Sequence, residues 1–321
     1  MTKLRRMAAL AVLTLILLTV PAAPTDARSG NGAYATRLAA GLGSGSGSTI
    51  GPDGALYVTQ PSTGTVSRID RRTGRVSTFV SGLPAAGVMD VIFRHGTAYV
   101  LVTVIPDDAT DFVGIYRVTG PTSFTRFANL GAFSAANPPD TDYFVPTGVP
   151  YAMENVPGGF LVTDGHHNRV LRVSLAGIVS ELVAFENIVP TGLEVLGGKV
   201  WMAQAGPIPH LPQDGKVVSF GLRDPHPGTV ATGGRLLVDV EFGRGAIYAL
   251  AQGVWPVGTP EGTPANPDTG QLLRVDRPGF DVVARGLDRP TSLEILGNTA
   301  YIVTLDGEVW TVNLSGRHHR R

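Results

Sequence analysis

Apolar and polar residues alternate along this chain in short bursts, and the bursts come in pairs that recur six times. The first burst of each pair reads ALYV (55–58), TAYV (97–100), GFLV (159–162), KVWM (199–202), AIYA (246–249) and TAYI (299–302). The second reads TVSRID (65–70), GIYRVT (114–119), RVLRVS (169–174), KVVSFG (216–221), QLLRVD (271–276) and EVWTVN (308–313). Each burst has the length of a strand, and no long window after residue 30 carries a 3.6-residue apolar period, so helices should be few. The large residues Tyr57, Tyr99, Leu161, Trp201, Tyr248 and Tyr301 stand 42, 62, 40, 47 and 53 positions apart. A repeat of that length built from several short strands predicts an all-β fold, a six-bladed β-propeller.

The pattern also predicts how the ring closes. A blade needs four strands, and the last repeat stops after its third, near Leu314. Residues 34–42, with TRLAAGL at their end, match the fourth strands STFVSGL (77–83) and DVVARGL (281–287). The N-terminal strand should therefore join the last blade and leave no open sheet edge at the seam. The blades then run roughly 44–86, 87–133, 149–185, 189–234, 236–287, and 290–314 plus 34–42. The domain organisation is 1–27 as a secretory signal peptide, 34–314 as the propeller and 315–321 as a frayed basic tail.

Composition sharpens this picture. The chain has 41 glycines and 24 prolines among 321 residues, as many short strands and tight turns require. Its 26 basic and 26 acidic residues cancel, only three of the basic ones are lysine, and no basic stripe is present to meet a phosphate backbone. Nucleic acid is therefore not an expected partner. Lys3, Arg5 and Arg6 precede an apolar run at 7–20 and then PAAPTDA, the order of a secretory signal. Cleavage after Ala27 or near Ala22 would leave an extracellular protein with no membrane contact, expected to be a monomer. There is no cysteine, hence no disulfide and no thiol nucleophile.

The turn in TDGHHNRVLRV (163–173) is similar to the NHL-type repeat, in which an Asp, a polar turn and an Arg link two strands. The longer strings VPYAMENVPGGFLVTDGHHNRVLRV, VPTGLEVLGGKVWMAQAG and GLDRPTSLEILGNTAYIV resemble the ScyD/ScyE family, across almost all of the mature chain. The resemblance implies a secreted six-bladed propeller and brings no agreed catalytic residue. More distant relatives with the same ring include gluconolactonase-type metal hydrolases, strictosidine-synthase-like proteins and quinone-holding sugar dehydrogenases. The first of these implies one divalent cation on the ring axis.

Two sets of residues answer to function. Seven positions before the large residue of each repeat, four blades carry Glu154, Glu194, Glu241 and Glu294, and two positions earlier stand Asp90 and Asp239. Period 2 places these positions on one strand face near the axis, where carboxylates could hold a hard cation such as Ca²⁺. The competing role is structural, each acid bonded to a backbone amide or to Arg68, Arg117, Arg172 or Arg274 of the second burst. The other set lies in insertions at 104–113, 205–215 and 252–270 and in the link 133–148, all expected on one face. Tyr143, His210 and Trp255 are the expected walls of a small-molecule or protein site at the channel mouth, with the inner-strand acids at its floor. Asp107, Asp108 and Asp111 match no Ca²⁺-loop spacing. His166 and His167 fall in a turn where any small or polar residue should serve.

No serine elbow, H-E-x-x-H or phosphate loop occurs, so no catalytic residue is assigned. Two functions follow: a non-catalytic propeller that binds a ligand or partner on its loop-rich face, or a metal-dependent hydrolase or lactonase working at the axis. The first is preferred, because the only inner-strand Asn, Asn155, lies one position off the acidic face.

Overall fold

A computed structural model describes residues 34–84, 87–103 and 111–315. The signal segment, Asp107, Asp108 and the tail from residue 316 lie outside the described residues. Strand β1 (Ala35–Ala39) comes first and is followed by the first blade: β2 (Ser48–Ile50), β3 (Leu56–Gln60), β4 (Thr65–Ile69) and β5 (Val76–Val80). The second blade is β6 (Val88–Arg94), β7 (Thr97–Val102), β8 (Gly114–Gly120) and β9 (Ser123–Asn129). The helix α1 (Leu130–Ala136) follows directly, its first turn capped by the Asn129 side chain, which accepts from the Ala132 amide at 2.9 Å. The start of the link after the second blade is thus helical.

The third blade is β10 (Pro150–Val156), β11 (Gly159–Asp164), β12 (Arg169–Ser174) and β13 (Val179–Ala184). The fourth is β14 (Pro190–Leu196), β15 (Lys199–Gln204), β16 (Lys216–Gly221) and β17 (Gly228–Thr232). The fifth is β18 (Leu237–Gly243), β19 (Ala246–Ala251), β20 (Gly270–Asp276) and β21 (Gly279–Leu287). The sixth is β22 (Pro290–Leu296), β23 (Thr299–Thr304) and β24 (Val309–Asn313), completed by β1. Six antiparallel four-stranded sheets form the ring, the predicted six-bladed propeller.

Closure runs as the sequence implies. β1 lies antiparallel to β24, with Ala35 opposite Val312 and Thr36 opposite Thr311. The Arg37 guanidinium meets Glu308 at 2.8 Å, and the Leu42 amide donates to the Gly307 carbonyl at 3.2 Å. Leu42 is buried against Leu56 and Tyr301, so apolar burial adds to the strand pairing at the seam.

The cores lie between blades, where the recurrent large residues pack. Tyr57 meets Phe93 of the next blade edge-on at 4.7 Å, and Tyr99 meets Phe160 at 4.9 Å. In five blades the residue seven positions earlier is its direct cross-strand partner: Ile92 with Tyr99, Glu154 with Leu161, Glu194 with Trp201, Glu241 with Tyr248, and Glu294 with Tyr301. Each of these inner strands carries one extra residue near its start, between Val88 and Asp90, Pro150 and Met153, Pro190 and Leu193, Leu237 and Asp239, and Pro290 and Ser292. Such bulges re-aim the side chains beside them. Here they set the direction of the residues nearest the axis.

Candidate functional site

The axis holds the acidic set. Asp90, Glu154, Asp239, Glu241 and Glu294 line a cavity of about 50 Å³, which has room for a few waters and no more. Asp90 accepts the Val91 amide at 2.8 Å and, across the seam to the third blade, the Met153 amide at 2.7 Å. Asp239 does the same with Val240 at 2.9 Å and with Leu293 of the sixth blade at 2.8 Å. At the same repeat position Ser48 and Ser292 join the first and sixth blades, hydroxyl to hydroxyl, at 2.8 Å. Glycine at Gly47 and Gly192 makes this possible, since a Cβ there would stand 2.3 Å from Asp90 Oδ1 and 2.1 Å from Asp239 Oδ1.

The glutamates behave differently from their expected partnering with arginine. Glu154 accepts the adjacent Asn155 amide at 2.6 Å. Arg68 and Arg274 pair instead with Asp53 and Asp281, and Arg172 donates to the Pro157 carbonyl. Arg68, Arg117, Arg172 and Arg274 stand on the third strands opposite Tyr57, Tyr99, Leu161 and Tyr248, so the large residue of the second strand lies between each arginine and the inner-strand position. Without a counter-charge, burial pushes the carboxyls up: Asp90 and Glu154 to about 8 and Asp239 to about 7. Glu194, Glu241 and Glu294 are raised for the same reason, with mutual repulsion added for Glu241 and Glu294.

The fit to a divalent cation follows from this geometry. Among the described residues no three acidic or imidazole side chains are placed to hold one ion. Asp90 and Asp239 each spend two lone pairs on backbone amides, which leaves them fewer to offer a cation that collects six or more oxygens. The set as arranged does not fit Ca²⁺.

A second site lies on the loop-rich face and is organised by one turn. Between β11 and β12 the six residues Asp164 to Arg169 hold both neighbouring links. Asp164 Oδ1 accepts the Val149 amide at 2.8 Å and the His167 amide at 3.2 Å. His166 Nε2 accepts the amides of Phe144 and Val145 at 2.9 and 3.1 Å, which leaves the ring proton on Nδ1, 3.6 Å from Glu261 Oε1. His167 Nε2 donates to the Val145 carbonyl at 2.9 Å, its Nδ1 accepting from Arg169. Asn168, at a left-handed φ of 51°, accepts the amides of Ile188 and Val189 at 3.0 and 2.9 Å.

Arg169 completes the turn. It is buried, 3.4 Å from the Asp164 carboxylate, and donates to the Asn137 carbonyl and the Ser134 hydroxyl of α1 and its C-terminal end. The Asp and Arg of the NHL-like turn thus face each other across the β11–β12 pair, as that resemblance implies. The two histidines are more specific than the sequence suggested. Both are nearly buried, and both spend their ring nitrogens on partners from other elements. Burial lowers the His167 imidazole below its ordinary range.

The links held by this turn enclose a cleft of about 550 Å³. Its walls are residues 140–144, the 165–168 turn, residues 187 and 189, and Glu261 from the 252–270 insertion. Two of the four segments assigned to this face, 133–148 and 252–270, therefore meet around one space. Tyr143, half-exposed, lines this cleft and not the axial cavity. His210 and Trp255 line neither. They are buried against each other edge-to-face at 6.0 Å, with His210 Nδ1 on the Gly206 carbonyl at 2.7 Å. Nor do the axial acids form the floor, since axis and cleft are separate spaces. Asp111 is exposed and pairs with Arg126 at 3.4 Å. The residues that sequence reasoning missed are His166, Asn168 and Glu261. Only the DGHHNR string pointed to the first two, and nothing local pointed to Glu261.

No known family description matches the chain, and no curated protein matches it. Solved structures do share its ring. Virginiamycin B lyase from Staphylococcus aureus is 14% identical over 87% of this chain and 98% of its own, with a TM-score of 0.55. A gluconolactonase from Xanthomonas campestris is 11% identical over 88% and 90%, with a TM-score of 0.61. The PQQ-bound aldose sugar dehydrogenase from Streptomyces coelicolor is 12% identical over 87% and 96%, with a TM-score of 0.60. These neighbours are propeller proteins, and at such identities they establish the fold alone.

Proposed function

We propose that this chain is a secreted, ScyD/ScyE-like propeller that binds a ligand in the loop-face cleft without transforming it. The observation that carries this reading is the turn Asp164–Arg169, which spends six consecutive residues on holding two links apart around about 550 Å³ of space. That volume suits a small molecule, whereas the axial cavity of about 50 Å³ does not. The one imidazole on the lining is not poised as a general base, since both its nitrogens are engaged, Nε2 by two amides and Nδ1 facing Glu261. Secretion and a monomeric state are parts of the same proposal, resting on the N-terminal pattern and on the closed ring.

The test is a ligand-observed NMR screen of small metabolites, repeated on Asn187→Trp, which puts an indole into the cleft. Hits that vanish in the variant and return unchanged in mass after incubation are expected. Hits that persist in the variant, or that are chemically converted, would overturn the reading. A second reading, a metal-dependent hydrolase at the axis, draws on the carboxylate ring itself. Metal analysis of purified protein decides it, since a stoichiometric divalent ion would place function there despite the amide-bonded aspartates.

A further inference from the structure

Resting on the cleft as the ligand site, we infer that its ligand is an organic cation, an ammonium or guanidinium group carried on an apolar body. All charged side chains on the described lining are acidic: Asp140, Asp142 and Glu261. None of the ion pairs among the described residues engages Asp140 or Asp142. The nearby Arg169 offers no neutralisation, being buried and committed to Asp164, Ser134 and the Asn137 carbonyl. Uncompensated like charges around one concave space raise the local concentration of cations and exclude anions.

The aromatic residues of the same wall give the second half of the recognition. Tyr143 and Phe144 are 43% and 63% exposed, unusual for rings of this size. They are nevertheless held in place: Tyr143 packs edge-on against His167 at 5.2 Å and Phe144 against His166 at 4.4 Å. A pinned ring that leaves area open beside three carboxylates is the setting in which a cation is bound over a π face. The His166 contact also holds the Glu261 carboxyl below its ordinary range, so the third acid stays charged across the working range of pH. An anionic ligand such as a phosphate or a carboxylate would meet three like charges and no cation to balance them.

Calorimetry on the purified protein tests this with benzyltrimethylammonium and choline, against neutral 3,3-dimethylbutan-1-ol (the isostere of choline) and against benzoate. The cations are expected to bind, and the neutral and anionic probes to bind at least about tenfold more weakly. Affinity should fall as salt is raised. The double variant Asp140→Asn, Asp142→Asn removes no contact of the fold and should weaken benzyltrimethylammonium about tenfold with an unmoved melting temperature. Phe144→Leu should weaken benzyltrimethylammonium and choline alike, since both lose a π face for the charged group. If the neutral or anionic probe binds as well, and Asn187→Trp blocks it, the cleft stands and the cation assignment falls. Cation binding that survives both Asn187→Trp and the double variant would be diffuse surface attraction and would overturn the inference. If no probe binds, and the metabolite screen gives no hit sensitive to Asn187→Trp, the cleft reading fails with it.

Discussion

Asp90 reaches across the seam between the second and third blades to accept the Met153 amide at 2.7 Å, and Asp239 repeats the bond with Leu293 at 2.8 Å. With the Ser48–Ser292 bond, this one repeat position joins three of the six seams at the inner edge of the ring. An acid that recurs on a propeller axis invites a metal-site reading. In this chain two of the six acids serve as inter-blade staples.

Removing a staple should therefore cost stability and not metal affinity. Asp90→Ala strips the Met153 and Val91 amides of their side-chain acceptor in a buried place, and should lower unfolding free energy by about 1–3 kcal/mol. Denaturant melts of Asp90→Ala and Asp239→Ala check this. A loss under half a kcal/mol in both would leave the staples without energetic meaning.

The axial ring should make the fold less stable as pH rises. In the folded protein Asp90 and Glu154 hold their protons to about pH 8 and Asp239 to about 7, whereas in the unfolded chain carboxyls ionise near pH 4. The native state therefore binds more protons between these values. Its stability from this source is full below about pH 4 and is lost as pH climbs to about 8. Melting temperature should fall by about 4 °C or more from pH 5 to pH 8. Glu241→Gln, which removes one member of the repelling set, should flatten the slope. A melt that rises across the same interval would contradict the raised values.

Ring closure is testable by deletion. Without residues 34–42 the sixth blade loses its outer strand, and the burial of Ala39 and Leu42 is lost with it. The deletion should cost at least about 3 kcal/mol. It should also expose the β24 edge to association, visible as oligomers in size-exclusion chromatography.

Arg169 should be more costly to lose than any surface arginine. Arg169→Met leaves the fully buried Asp164 carboxylate without its cation and frees α1 from the turn. About 3–5 kcal/mol is the expected loss, together with faster proteolysis within 133–148.

His166→Ala should act locally. The amides of Phe144 and Val145 lose their acceptor, so their hydrogen exchange should accelerate at least about tenfold while strand amides of β11 keep their protection. Equal acceleration throughout the third blade would mean that His166 supports the blade and not the cleft wall.

The chain by itself determined the architecture. Strand length, the recurring pair of apolar bursts and the orphan strand at 34–42 are one-dimensional features, and a propeller is close to a one-dimensional stack of units closed on itself. The register of Glu194 with Trp201 and of Glu294 with Tyr301 is also legible, because a tight hairpin ties cross-strand partners to a fixed spacing. Tertiary structure decided what those residues touch. Asp90 and Asp239 turn to neighbouring amides because a bulge re-aims the inner strand and Gly47 and Gly192 leave room. Where the bulge falls, and which amide of the neighbouring blade it brings within reach, is decided only in the assembled ring. His210 and Trp255 pack on each other from insertions of two neighbouring blades, a contact that no spacing in the sequence encodes. The cleft was least legible of all. Glu261 meets His166 from an insertion two blades further along, a contact that exists only once the third, fourth and fifth blades are packed side by side.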